Sequence, residues 1–194
     1  MAEGVRLEVN DEAVTRQLDQ VAGIEGAKRE ILDPFGGYLV TSTQRRFERE
    51  TAPDGSPWQR LSPRTAARRI RGRRRGFENI LRVTRRLEQS IVYKISGNEL
   101  HVGSNVEYAA AHQLGAEIEV AERQQTIFQH YDAKTDTFDQ RFRKPSRSNF
   151  ARDVTISAHT ISVPARAYLG LDDADRLEFG NIVTDFMGKR GLFE

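Results

Sequence analysis

The chain has no cysteine, which excludes disulfide frameworks, cysteine nucleophiles and thiolate metal sites and suits a reducing compartment. Nowhere do about eighteen apolar residues follow one another, and the N-terminal MAEGVRLEVNDEAV lacks the apolar core of a secretory signal. No membrane partner is expected. Catalytic signatures are missing too: there is no HExxH, no P-loop, no GxSxG and no phosphate-cradling glycine motif. The four histidines, at positions 101, 112, 130 and 159, do not have the short paired spacing of a helical metal site. The expectation is a non-enzyme with no cofactor and no metal. Asp172, Asp173 and Asp175 are the one acidic cluster that could hold a divalent ion, and charge complementarity at a helix start explains them without one.

Basic charge is not scarce, but it is unevenly placed. The 194 residues carry 30 Lys+Arg against 28 Asp+Glu, a net charge of +2. Arg60, Arg64, Arg68, Arg69, Arg71, Arg73, Arg74 and Arg75 have no acid between them, so the rest of the chain is acidic and the basicity is local. With 38% hydrophobic residues the chain can bury one core of ordinary size, and a single domain over residues 1–194 is expected.

Periodicity places helices at both ends and strands in the middle. Asn10 or Asp11 can cap a helix bearing Val14, Leu18 and Val21. A second helix begins in DPFGGYLVTSTQRRFERE with Pro34 near its first turn, where a missing N–H costs nothing. Phe35, Leu39 and Phe47 fall on its apolar stripe, while Gln44, Arg45, Glu48 and Arg49 are mostly polar surface. PDGSPW then reads as a turn with Asp54-Gly55 at its corner. Ile80, Thr84, Leu87 and Ile91 predict a third helix over FENILRVTRRLEQSI. IVYKIS and ELHVGS, separated by Gly97-Asn98, predict a hairpin. VEYAAAHQLG predicts a short helix closed by Gly115 in a left-handed cap. A last helix follows the aspartates, with Leu177, Ile182, Val183 and Phe186. The fold class is α+β: a small antiparallel sheet packed against several helices.

Residues 117–160 are too long for an ordinary connection, about 4 to 6 residues, and too rich in β-formers for disorder. QTIFQHYD, TFDQRFR and DVTISAHTISV read as strands, and a projecting β-hairpin arm accounts for both facts. Isolated hairpins are marginal in water, so the arm is expected to lie on a neighbouring subunit with Phe128, Phe138 and Phe142 as anchors. Trp58, the single tryptophan, is a candidate structural anchor whose buried N–H needs an acceptor. Arg166 and Tyr168 in VPARAYLG suit a strand edge or a subunit contact and are carried as subunit-interface candidates. The arginine segment lacks the apolar periodicity of a buried helix, and Gly72 and Gly76 add flexibility. An exposed basic loop over 60–76 is expected, with Arg68, Arg69, Arg71, Arg73, Arg74 and Arg75 free to contact DNA or an acidic partner.

Four stretches in order, RRFERETAPDGSPWQRLSPRT, ILRVTRRLEQSI, VGSNVEYAAAHQLG and VPARAYLGLDDAD, resemble the bacteriophage virion morphogenesis or tail completion proteins, including Mu-like and P2-like members. The resemblance covers about residues 35–176. This chain departs from the family pattern at Arg85, where a glycine is expected after the threonine, at Leu114, where a phenylalanine is expected, and at Ala167-Tyr168, which replace proline-phenylalanine. The resemblance implies a non-enzymatic structural protein of the tail end or head-tail neck, acting in tail completion and head-tail joining. It implies a homo-oligomeric ring, a hexamer by analogy with related tail proteins. Its partners would be neck, tail terminator or tail tube proteins, with packaged DNA a further candidate through non-specific phosphate contact. It would reside in the virion, assembled in the host cytoplasm. The alternative is a sequence-independent nucleic-acid-binding protein using the 60–75 segment. Against it, that segment has no interleaved aromatic residues for stacking and no helix-turn-helix is evident.

Overall fold

The computed structural model describes residues 5–6, 12, 16, 26–71, 79–97 and 99–191. The chain divides into two compact units, one of residues 1–116 with 164–194 and one of residues 117–163. In chain order the described elements are β1 (Val5–Arg6), α1 (Ala27–Arg49), α2 (Pro63–Arg71), α3 (Arg86–Gln89), β2 (Val92–Ser96), β3 (Glu99–Ser104), α4 (Ala109–Leu114), β4 (Ala116–Val120), β5 (Arg123–Gln129), β6 (Tyr131–Asp132), β7 (Thr137–Phe138), a 3-10 turn at Pro145–Arg147, β8 (Phe150–Ile156), β9 (His159–Val163) and α5 (Asp173–Lys189). The fold is α+β.

In the first unit, β2 and β3 form the expected hairpin, with Ser96 paired to Glu99 across a two-residue turn and Gly97 at φ +60°. The sequence reading missed β1, which adds to the other edge of β3 to give the antiparallel order β1-β3-β2. Two apolar clusters lie around α1. Ala27, Ile31, Phe35 and Leu39 pack on Phe179, Val183 and Phe186 of α5, with the Phe35 and Phe179 rings edge-to-face at 4.8 Å. Toward the other end of α1, Phe47 joins Trp58, Ile80, Leu87, Ile91, Val106, Ala109, Tyr168 and Leu169.

Several expectations need correction. α1 begins at Ala27 behind Gly26 at φ 76°, and Pro34 lies inside it rather than at its first turn. Burial of Ala27 and Ile31 against α5 outweighs the one backbone hydrogen bond that Pro34 cannot make. The helix expected over 77–91 shrinks to Arg86–Gln89. Leu81 and Arg85 take φ values of +60° and +55°, the Glu50 carboxylate accepts the Ile80 N–H at 2.6 Å, and Arg69 donates to the Asn79 carbonyl at 2.9 Å. Ile80, Leu87 and Ile91 are still buried, so the apolar spacing found the right side chains and the wrong backbone. Conversely, part of the supposed loop 60–76 is helical. Pro63 opens α2, Ser62 accepts from the Thr65 and Ala66 N–H groups at 3.3 and 3.0 Å, and arginine is a good helix former.

Three smaller corrections follow. Gly115 has φ 79° and ψ 163°, so it is not a left-handed cap. Leu177 is 69% exposed, and Phe179 takes the buried place on α5. TFDQRFR is a strand only at Thr137–Phe138. The helix expected around Val14, Leu18 and Val21 lies outside the described residues apart from Glu12 and Arg16, which are helical and paired at 3.1 Å.

The second unit is a nested set of two-stranded ladders: β4 with β9, β5 with β8, β6 with β7. β5 and β8 are antiparallel from Arg123↔Ile156 to Gln129↔Phe150. β6 and β7 close the hairpin at Tyr131↔Phe138, with residues 139–149 as an irregular return.

Gly36 of α1 lets the helix approach the sheet closely. A methyl group there would fall on the Tyr93 ring, with Cγ at 2.7 Å, and that ring is held by its hydroxyl donating to Asp33 at 2.9 Å. Gly37 has nothing within 4 Å. Gly36→Ala is therefore expected to lower unfolding free energy by about 1–3 kcal/mol, while Gly37→Ala raises it by about 0.5–1 kcal/mol; paired urea denaturation curves check both. Arg85→Gly relieves a left-handed residue, roughly 1–2 kcal/mol, against the entropy that glycine returns to the unfolded chain, about 0.5–1 kcal/mol. It should leave the urea midpoint unchanged or raised, where Arg→Gly in an ordinary helix lowers it.

Candidate assembly surfaces

The residues carrying the four-segment pattern meet inside the first unit. Residues 164–171 cross the core with no regular secondary structure, so their backbone groups need side-chain partners. Gln113 of α4 provides three: its Oε1 accepts from the Tyr168 and Leu169 N–H groups at 2.9 and 3.0 Å, and its Nε2 donates to the Leu169 carbonyl at 3.0 Å. Trp58 Nε1 donates to the Ala167 carbonyl at 2.8 Å, its ring edge-on to Phe47 at 5.4 Å. Gly170 packs against the Pro53 ring, where a Cβ would lie 2.6 Å from Cγ.

Arg166 and Tyr168, expected at a subunit interface, are instead interior to this chain. Tyr168 is 0% exposed, donates its hydroxyl to the Ala109 carbonyl at 3.1 Å, and burial pushes its phenol far above the ordinary range. Arg166 is buried, with Nε donating to the Gln59 carbonyl at 2.9 Å and its N–H to the His112 carbonyl at 2.7 Å. An irregular segment can be buried only when its polar groups are satisfied within the fold, and these two residues serve that purpose. Burial, then repulsion from Arg166, holds His112 below the usual imidazole range.

The aspartates of the last helix are also committed internally. Asp172 and Asp175 form a reciprocal capping box on α5. Asp175 is fully buried and accepts from Ser42 Oγ at 2.6 Å and from Arg46 Nη2. Arg46 also reaches Asp172 at 3.0 Å and the Gly170 and Tyr168 carbonyls at 2.9 and 3.3 Å. The sequence reading passed over Arg46. Its helical phase carried the signal, since Phe35, Leu39, Ser42 and Arg46 lie on one stripe of α1 at four- and three-residue steps.

What remains on the surface is different material. Arg68 is exposed on α2, and Arg69 is half-buried with its Asn79 bond. Arg71 ends α2; its side chain, and all of Arg73, Arg74 and Arg75, lie outside the described residues. In the second unit Phe142 is 72% and Phe138 48% exposed, while Phe128 is half-buried on β5. The end of that hairpin is internally ordered. The Phe138 ring meets Tyr131 at 5.0 Å and Phe150 at 4.8 Å. Asn149 and Tyr131 exchange two hydrogen bonds, at 2.7 and 2.8 Å. The return strand is fixed by Arg143 N–H to the Phe128 carbonyl at 2.8 Å and by the Arg143–Asp139 ion pair.

The family model of the phage virion morphogenesis family matches residues 9–187. No curated protein and no solved structure matches the chain.

Removing the Arg46 side chain leaves a buried carboxylate unpaired, so Arg46→Ala is expected to cost about 3–5 kcal/mol, read from urea denaturation. Acid should act at the same place. Burial raises the Asp172 pKa, but hydrogen bonds from the Asp175 backbone and from Arg46 outweigh it and the net shift is downward. A depressed carboxylate contributes stability that is present above the unfolded value and lost as pH falls through the folded one. Stability should therefore decline as pH drops below about 3.8, and Asp172→Asn should flatten that limb of a stability-against-pH curve.

Proposed function

Because the chain belongs to the phage virion morphogenesis family, we propose that it is a structural, non-enzymatic protein of the tail end or head-tail neck. In this reading it acts in tail completion and head-tail joining as a homo-oligomeric ring, with six copies expected, in contact with neck, tail terminator or tail tube proteins. The observation that carries the proposal is the family match over residues 9–187, which spans both units.

The second unit supports a contact role. Ile118, Phe138, Phe142 and Ile161, all within 117–163, are exposed large apolar residues, Phe142 at 72%, and exposed apolar surface marks interaction sites. Phe142 is flanked in sequence by Arg141, Arg143 and Lys144, with Arg147 further on, all exposed, the mix of an apolar residue among charged ones that suits a protein interface. The internal bonding of this end means that little conformational entropy is lost on docking.

The pairing register supplies the test. Gln129 and Phe150 are directly opposite, so residues 130–149 can be replaced by Asn-Gly, a two-residue hairpin turn, leaving β5 and β8 paired. Phage carrying this replacement should produce protein with unchanged far-ultraviolet circular dichroism and normal DNA replication. Electron microscopy should show filled heads and unattached tails. Infectious particles at the parental titre would overturn the contact role, and normal particles after complete deletion of the gene would overturn the assembly function itself.

A further inference from the structure

The arginine stripe of α2 has no acidic partner among the described residues. Arg64 and Arg68 are both exposed, four residues apart and so on one face, about 6 Å apart along the helix axis. Arg60 is exposed just before the helix. Among the described residues no carboxylate pairs with any of the three. The first turn of α2 has no acid either, so the helix dipole adds to the positive field instead of opposing it. Nearby, Arg69 and Arg166 are close enough for their repulsion to help depress Arg166, with burial the larger cause.

Of the acidic segment 172–178, the two carboxylates at the capping box are not free to neutralise this stripe across a ring interface. Asp172 and Asp175 are bound by Arg46, and Asp173 pairs with Arg176 at 2.9 Å. The exposed stripe is thus open to a polyanion from outside the chain. A row of guanidinium groups matches phosphates, each able to accept two parallel hydrogen bonds. α2, with sequence PRTAARRIR, has no aromatic residue on which an unpaired base could stack. Nor does it have Asn or Gln to read adenine edges.

We propose that α2 binds the phosphate backbone of duplex DNA without sequence preference, through Arg64 and Arg68 with Arg60 beside them. This goes beyond the assembly reading and is tested apart from it, on the purified chain, so either can fail alone.

The measurement is fluorescence anisotropy with a labelled 30-base-pair duplex between 50 and 200 mM salt. Each phosphate contact contributes about 0.9 to the slope of log affinity against log salt. Arg64→Ser/Arg68→Ser should therefore reduce the slope by about 1.8, so that this salt increase weakens the variant about 12-fold less than the parent. Arg29→Ser/Arg152→Ser, which removes the same charge at exposed positions elsewhere, should retain the parental slope, and circular dichroism should show both variants folded. Two duplexes of unrelated sequence should bind alike. Equal slopes in parent and stripe variant, or no binding at 50 mM salt, would overturn the proposal. Tighter binding to a single strand of the same length, or to polyglutamate, would also overturn it; the latter would assign the stripe to an acidic protein surface.

Discussion

The guanidinium of Arg46 is the interaction on which the first unit depends. It ties together three parts of the chain with one side chain: the C-terminal half of α1, the start of α5, and the irregular segment between β9 and α5. Burying an unpaired cation costs several kcal/mol, so this arrangement persists only because each arm of the fork has a separate task. One terminal nitrogen reaches the Tyr168 and Gly170 carbonyls, the other the Asp172 and Asp175 carboxylates. Lysine has a single ammonium and cannot serve both directions from one rigid plane. With residues 168–172 held there, Tyr168 comes under Phe47 at 5.0 Å and the Ala167 carbonyl comes within reach of Trp58. Gln113 can then satisfy the backbone between them.

This arrangement explains why some features could be read in the sequence and others could not. The β2–β3 hairpin was legible because alternation and a Gly-Asn pair are local signals that agree. The apolar residues at 80, 87 and 91 were legible as core because burial imposes a spacing whatever the backbone does. Their helix was not, since two left-handed residues interrupt it and neither is glycine. Arg85, one of them, stands where the resemblance leads one to expect glycine. The family pattern thus held the backbone information that the residue type concealed. Arg46 was missed because its charge suggested surface, although its phase on α1 suggested interior. α2 was missed because arginine composition was weighed above a serine-proline start and a good helix-forming interior.

The same structure separates the residues that identify the chain from those available to bind anything. Trp58, Gln113, Arg166 and Tyr168 are buried and hydrogen-bonded to the backbone of their own unit. A pattern made of such residues records how a fold is closed, and similarity at these positions therefore identifies the family more readily than the partner. The exposed aromatic and basic side chains of residues 138–147, and Arg64 and Arg68 of α2, contribute almost nothing to that closure.

Charge follows the same division, and this gives the arginines their meaning. An acidic cluster at a helix start is ordinarily free to attract a cation or a basic neighbour. Here the cluster is turned inward, where Arg46 and the α5 backbone consume two of its three carboxylates. A chain with nearly equal numbers of acids and bases can therefore present a face on which Arg60, Arg64 and Arg68 have no carboxylate partner among the described residues. The net charge of +2 understates that face, because much of the compensating negative charge is distributed over other surfaces or sequestered in the core. Between groups separated by more than about 8–10 Å in physiological salt, distant acids do little to neutralise it. Among the described residues, the local charge of α2 is set by Arg60, Arg64 and Arg68 with Arg69 beside them.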